Sequence, residues 1–175
     1  PVVTPDDLRR QKLFVWSSGD SAEGEKLWQD FGFDTVALSS TDIMTALQTR
    51  MIEAYSTPPL VALASQWFPF TPYMTDLKWA PLTGATIITD KSWQKVPVLL
   101  RPELERIVFE EGLNLQQDVR RLEQQAMDAM VKRGLKIVPV DTEARKAWQE
   151  MAERGYAEIR GSIVPEEYFD ETLRL

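Results

Sequence analysis

The chain reads as an α/β protein built on a parallel or mixed sheet, with one long helix that outgrows a single small lobe. Three observations predict this. Between residues 13 and 68, short apolar runs alternate with amphipathic helical patterns, the order expected of strands joined by helical crossovers. Between residues 102 and 133, apolar residues recur at three-, four- and seven-residue steps, a single helical stripe. The 175 residues include 43% hydrophobic side chains, enough for one core.

Each element follows from local chemistry. Thr4-Pro5-Asp6-Asp7-Leu8 is a cap-and-turn with Pro5 at a first helical position. Leu13 to Trp16 is an apolar run, a buried strand. Ser17-Ser18-Gly19-Asp20 turns the chain, and Ser21 to Phe31 is a helix stopped by Gly32. Thr35 to Leu38 is a second strand. Ser40 or Thr41 caps the next helix, Ile43 to Met51, whose positive first turn suits Asp42. Ala54 to Thr57 is a third strand, and Leu60 to Phe68 a helix ended by Pro69 and Pro72. Tyr73 to Asp90 is extended, with ATIIT its most β-prone piece. Asp90 caps a short helix closed by Pro97. Pro102 to Arg133 is the long helix, about 45 Å, with Gly112 placed to bend it. Leu135 to Val140 is a returning strand, Asp141 or Thr142 caps another helix, and Val164 to Phe169 closes the chain as a short helix.

Composition excludes several functions. Net charge is −7 and the basic residues are interleaved with acids along helices, so nucleic acid is not an expected partner. There is no histidine and no cysteine. Cys/His zinc sites, thiol nucleophiles and imidazole bases are therefore impossible, and no cofactor is implied. No apolar run approaches the length of a membrane span. GxxxxGK[ST] and GxGxxG are both absent. Glu110-Glu111 and Glu166-Glu167 are neighbours on helices and do not face each other across a cleft. No catalytic function is expected.

Four segments resemble one family. TPDDLRRQKLFV is similar to the family's TPEDLKGLKIRV. TALQT through Pro58 is similar to TALQTG-VDGQENP, and TDKSWQKVP to NKKVWDKLPEDLQ before a long kinked helix. KRGLKIVPVD is similar to the return strand. The family is that of TRAP transporter periplasmic solute-binding receptors of the dicarboxylate-receptor, DctP type, and the chain resembles the C-terminal portion of such a receptor. The resemblance implies two α/β lobes clamping a ligand, most of the first lobe being absent from these residues. Residues 1–80 would form the second-lobe α/β core. Residues 81–125 would supply a crossover strand and the long helix to the missing N-terminal lobe, and 126–175 would return to the second lobe. The implied partners are a small organic solute and the TRAP membrane permease subunits. The implied location is the periplasm, the targeting segment being outside this sequence.

The chain departs from the family where a ligand is gripped. The arginine that takes a carboxylate on the KIRV strand is replaced by Phe14, the asparagine of QEN by Thr57, and an often aromatic position by Ser40. A charge-assisted hydrogen bond contributes about 1.5–3 kcal/mol, so this lobe offers an anion less. The expected ligand contacts are Phe14, Trp16, Ser40, Tyr55, Thr57 and Trp79, which favour an organic acid with an apolar or ring portion. A second reading of the same residues stands beside this one: β-strand residues 13–16 are core on both faces, and Trp79 packs beneath the crossover. Trp28, Trp93 and Trp148 are expected in the core. A different class of function is also open, a self-associating interaction module joined through the exposed face or the long helix.

Overall fold

The computed structural model describes residues 1–17, 22–78 and 84–174. The expected turn at Ser18-Gly19-Asp20 and the expected contact Trp79 lie outside the described residues. The elements run α1 (Pro5–Arg9), β1 (Lys12–Trp16), α2 (Ala22–Asp30), β2 (Asp34–Leu38), α3 (Ile43–Gln48), α4 (Pro59–Ala64), β3 (Tyr73–Thr75), α5 (Asp90–Trp93), α6 (Arg101–Lys132), β4 (Lys136–Val138), α7 (Thr142–Ile159) and α8 (Glu166–Thr172). The α/β class and the long helix expected from the sequence are both present.

β1 and β2 pair in parallel, from Lys12 opposite Asp34 to Trp16 opposite Leu38. β3 and β4 form a second parallel pair, from Tyr73 opposite Lys136 to Thr75 opposite Val138. Consecutive residues of a strand face opposite sides, and both sides of β1 are covered. Leu13 joins Phe33, Trp148 and Met151 on one side. Phe14 joins Ile43, Leu47, Ile52 and Trp67 on the other. A third cluster, of Ala62, Phe68, Met130 and Leu135, ties α4 to the end of α6.

Helix ends are set by local groups. Thr4 and Asp7 form a complete capping box at α1, so the cap-and-turn read from the sequence is a short helix. Asp141 Oδ1 accepts from Ala144 N at 2.8 Å and starts α7. Three details differ from the expected caps and ends. Asp42, not Ser40 or Thr41, holds the N-cap position of α3 and makes no side-chain cap bond, because its carboxylate accepts from Ser39 Oγ at 2.7 Å. Thr89, not Asp90, caps α5 through Ser92 N. α3 and α4 stop earlier than expected, since Arg50 and Gln66 adopt positive φ and turn the chain out of each helix.

Two expected strands are not formed. Ala54–Thr57 is reduced to one parallel bridge, Leu13 to Ala54. The segment around ATIIT has no regular structure, and Ile87 is 89% exposed. A strand needs a neighbour for its N–H and C=O groups, and neither segment has one on its outer side among the described residues. Gly112 does not interrupt α6, whose 32 residues run unbroken for about 48 Å. Along that helix only Ala126 and Met130 are buried, while residues 105–122 are all exposed. The one stripe of Leu104, Val108, Leu115, Val119, Leu122, Ala126 and Met130 is thus packed at its end and bare before it. Trp148 is core as expected, whereas Trp28 and Trp93 are half-buried, the latter beneath the Arg101 guanidinium at 5.3 Å.

Candidate functional site

Parallel pairing brings the carboxyl ends of β1 and β2 to one edge, with Trp16 level with Leu38. In open α/β sheets that edge is where ligands bind. Trp16 is half-exposed there (52%). Its position is fixed from below: the buried Phe14 ring meets it edge-on, centroids 5.0 Å apart. The chain then reaches the same region a second time through Ala54, whose bridge to Leu13 places Tyr55, Ser56 and Thr57 just beyond the sheet.

A cavity of about 800 Å³ lies beside these residues, and its wall includes Phe14, Trp16, Tyr55 and Thr57. Four of the six sequence-predicted contacts are therefore brought together. Ser40 is exposed in the β2–α3 connection and is not on the wall. Phe14 is 6% exposed and belongs to the core as much as to the cavity, so both readings of this position hold at once.

Tyr55 is the most constrained polar group. Its hydroxyl shares a 2.9 Å hydrogen bond with Thr71 Oγ1, and its ring lies edge-on to Trp67 at 5.6 Å. Burial pushes its phenol above the ordinary value, and the Thr71 hydrogen bond offsets this in part. The phenol is thus protonated at neutral pH and retains a proton to donate.

The sequence reading missed Phe70, Thr71 and Tyr73, which also line the cavity. Phe70 and Tyr73 are each 43% exposed. A partial signal was available in FPFTPY: Pro69 and Pro72 prevent a long α-helix through these aromatics, so part of the set is left outside the core. Charge on the wall is one-sided. Glu25 and Glu53 are on it, and no lysine or arginine is among its described residues. No cluster of three or more potential metal-ligating side chains occurs among the described residues, and no described helix is long and apolar enough to cross a membrane.

Comparison with known proteins gives this geometry a family. No curated protein matches the chain. Among solved structures, a TRAP periplasmic solute-binding protein from Rhodobacter sphaeroides is 23% identical with a TM-score of 0.79, covering 99% of this chain and 56% of its own. One from Shewanella oneidensis, solved with bound succinate, is 14% identical with a TM-score of 0.78, covering 97% and 55%. The periplasmic ectoine-binding protein of the TeaABC TRAP transporter from Halomonas elongata is 12% identical with a TM-score of 0.75, covering 99% and 55%. At these identities the likeness shows the fold, and the chain spans about half the length of each. The family model for bacterial extracellular solute-binding proteins, family 7 (DctP), matches residues 1–162. That match takes in every element from α1 to α7, and the chain belongs to this family of solute-binding receptors.

Proposed function

We propose that the chain is the second-lobe portion of a periplasmic TRAP-type receptor, which captures a small organic solute by closing two lobes and hands it to membrane permease subunits. The observation that carries this is the cavity wall at the strand ends. It combines Trp16, Tyr55 and Thr57, with Phe14 behind Trp16, on the fold of a solute-binding family. Ser40 and Trp79 complete the proposed contacts.

The wall also sets what kind of solute this lobe meets. A carboxylate gains its strongest hold from a cation, ideally a two-pronged arginine, and no lysine or arginine side chain lines the cavity among the described residues. Aromatic faces and two hydroxyl-bearing side chains suit a ring or apolar portion instead. An acidic end of the solute is then held by the other lobe. Residues 1–80 and 126–175 form the second lobe in this reading, and 81–125 extend into the first. The bare stripe of α6 supports that division: Val108 is 40% and Leu115 64% exposed, where a covering surface is expected.

The test uses the natural full-length protein isolated from periplasm. Native mass spectrometry is expected to show a monomer carrying one small non-covalent adduct. Trp16→Ala is expected to weaken rebinding of that adduct by roughly tenfold or more, the scale of a buried aromatic contact. A stable self-associated species without adduct would overturn the receptor reading and favour an interaction module.

A further inference from the structure

The connection from β2 to α3 leaves the carboxyl edge of the sheet as four consecutive polar residues, Ser39, Ser40, Thr41 and Asp42, all exposed. Its place relative to Trp16 follows from the packing. Leu38 is level with Trp16, and Ser17 N donates to Leu38 O at 3.1 Å, so the two chains stay side by side past the strand ends. Phe14 and Trp16 are two residues apart and share one face of β1. On that face Phe14 joins the core cluster of Ile43, the first residue of α3. Trp16 stands one step nearer the edge than Phe14. The connection and the half-exposed Trp16 ring therefore border the same corner of the site, at the outer end of the cavity.

The hydrogen-bond directions in this connection are fixed by proton count. A carboxylate only accepts, and a hydroxyl has one proton to give. Ser39 Oγ donates its proton to Asp42 Oδ2 at 2.7 Å. In the 2.6 Å contact between Ser39 Oγ and Thr41 Oγ1, Thr41 is then the donor. Both hydroxyl protons are used inside the trio. Its side chains have only acceptors left to offer: Asp42 Oδ1 and the remaining lone pairs of Thr41 Oγ1. Asp42 is not engaged with α3 either, since it makes no side-chain cap bond. Charge at this edge agrees. Between residues 13 and 49 the sequence has one basic side chain, Lys26, and it pairs with Asp30 on α2.

We propose that Asp42, held by Ser39 and flanked by Thr41, reads hydrogen-bond donors on the solute, so that the part of the solute laid against Trp16 carries at least one O–H or N–H group. The proposal rests on the receptor reading above and narrows it. A wholly apolar ring would strip water from the carboxylate on closure and give nothing back, which is costly. A solute presenting an acceptor there would meet acceptors only, and would be rejected. A hydroxylated ring and a ring with a protonated nitrogen share the required chemistry. Asp42 is the specificity-determining contact in this arrangement, and Ser39 is a positioning residue.

The test uses the natural full-length protein and the adduct it carries. The mass shift of the released adduct in heavy water counts its exchangeable hydrogens, and its accurate mass and fragmentation give its carboxyl groups and nitrogen content. At least one exchangeable hydrogen beyond those of the carboxyl groups is expected, and the presence or absence of nitrogen tells the two sources apart. An adduct with none overturns the proposal. Asp42→Asn keeps the size of the side chain and suits the N-cap position. Ser39 then holds its one oxygen, and its NH2 group faces the solute donor. Rebinding of the adduct is expected to weaken by roughly tenfold to hundredfold, with melting of the empty protein within about 2 °C of wild type. Ser39→Ala is expected to lose part of that affinity and Ser39→Thr to restore it. Unchanged rebinding by Asp42→Asn overturns the proposal and leaves the receptor reading standing. A protein that carries no adduct removes the receptor reading itself, and this inference with it.

Discussion

Met130→Ala tests whether α6 is anchored at one end only. Met130 is 1% exposed and packs against Ala62, Phe68 and Leu135. Truncating a buried methionine to alanine costs about 2–5 kcal/mol, rising with the void left behind. Met130 already borders the cavity, so one side of its chain has few partners to lose and the cost falls at the lower end, about 2–3 kcal/mol. For a chain of this length that is a fall of roughly 4–12 °C in melting temperature. Val119 is the control. It lies on the same stripe three turns earlier, but is 39% exposed. Val119→Ala removes little buried surface and improves helix propensity, so the expected change is within about 0.5 kcal/mol. Urea unfolding of residues 1–175, followed by tryptophan fluorescence, measures both. Equal costs at the two positions would refute the reasoning, because the stripe would then be packed throughout.

Two other outcomes follow from the same structure. Phe14→Ala, at a position 6% exposed, is expected to cost about 3–5 kcal/mol in chemical denaturation. In the full-length receptor it should weaken solute binding less than Trp16→Ala does, and the reverse order would make Phe14 the contact and Trp16 its support. Asp7 gives a pH dependence. Hydrogen bonds from the Thr4 and then the Val3 backbone N–H groups hold its carboxyl below the ordinary carboxylate value. Because the folded value is the lower one, this stabilisation is present above about pH 4 and lost as pH falls through the folded value. Wild type should be more stable than Asp7→Asn at pH 6, with the difference shrinking as pH falls below the ordinary carboxylate range in parallel urea titrations.

What the sequence made legible were features whose cause is local. The α1 cap lies in Thr4 and Asp7, the stop of α2 in Gly32 at φ +81°, and the start of α7 in Asp141. The stripe of α6 was readable as a period. That most of the stripe is bare was not, since a period does not say whether a partner is present. The same limit explains the two strands that did not form. Ala54–Thr57 and the ATIIT segment have strand-forming residues, but pairing is a property of the neighbour as much as of the segment. At the site, Trp16 and Thr57 were readable as strand-end residues. For Phe70, Thr71 and Tyr73 the FPFTPY pattern signalled aromatics near a chain break, but not their arrival at the cavity, which depends on the turn after α4 set by the positive φ of Gln66.

These unformed pieces point the same way. The chain's own core is closed: Ile43, Ile52 and Met130 are each 1% exposed or less, and no buried side-chain polar atom lacks a partner among the described residues. Its apolar surface left open includes the face of α6 and the segments around Ile87 and Leu99, which are 89% and 92% exposed. An apolar face needs another apolar surface. In the proposed two-lobe reading, the helix face from Val108 to Leu122 would be covered by the rest of the receptor. Covering α6 should raise the cost of Val119→Ala in the full-length protein toward that of a buried valine, roughly 1 kcal/mol or more. If Val119→Ala remains silent there, the helix face is reserved for a separate partner and not for the first lobe.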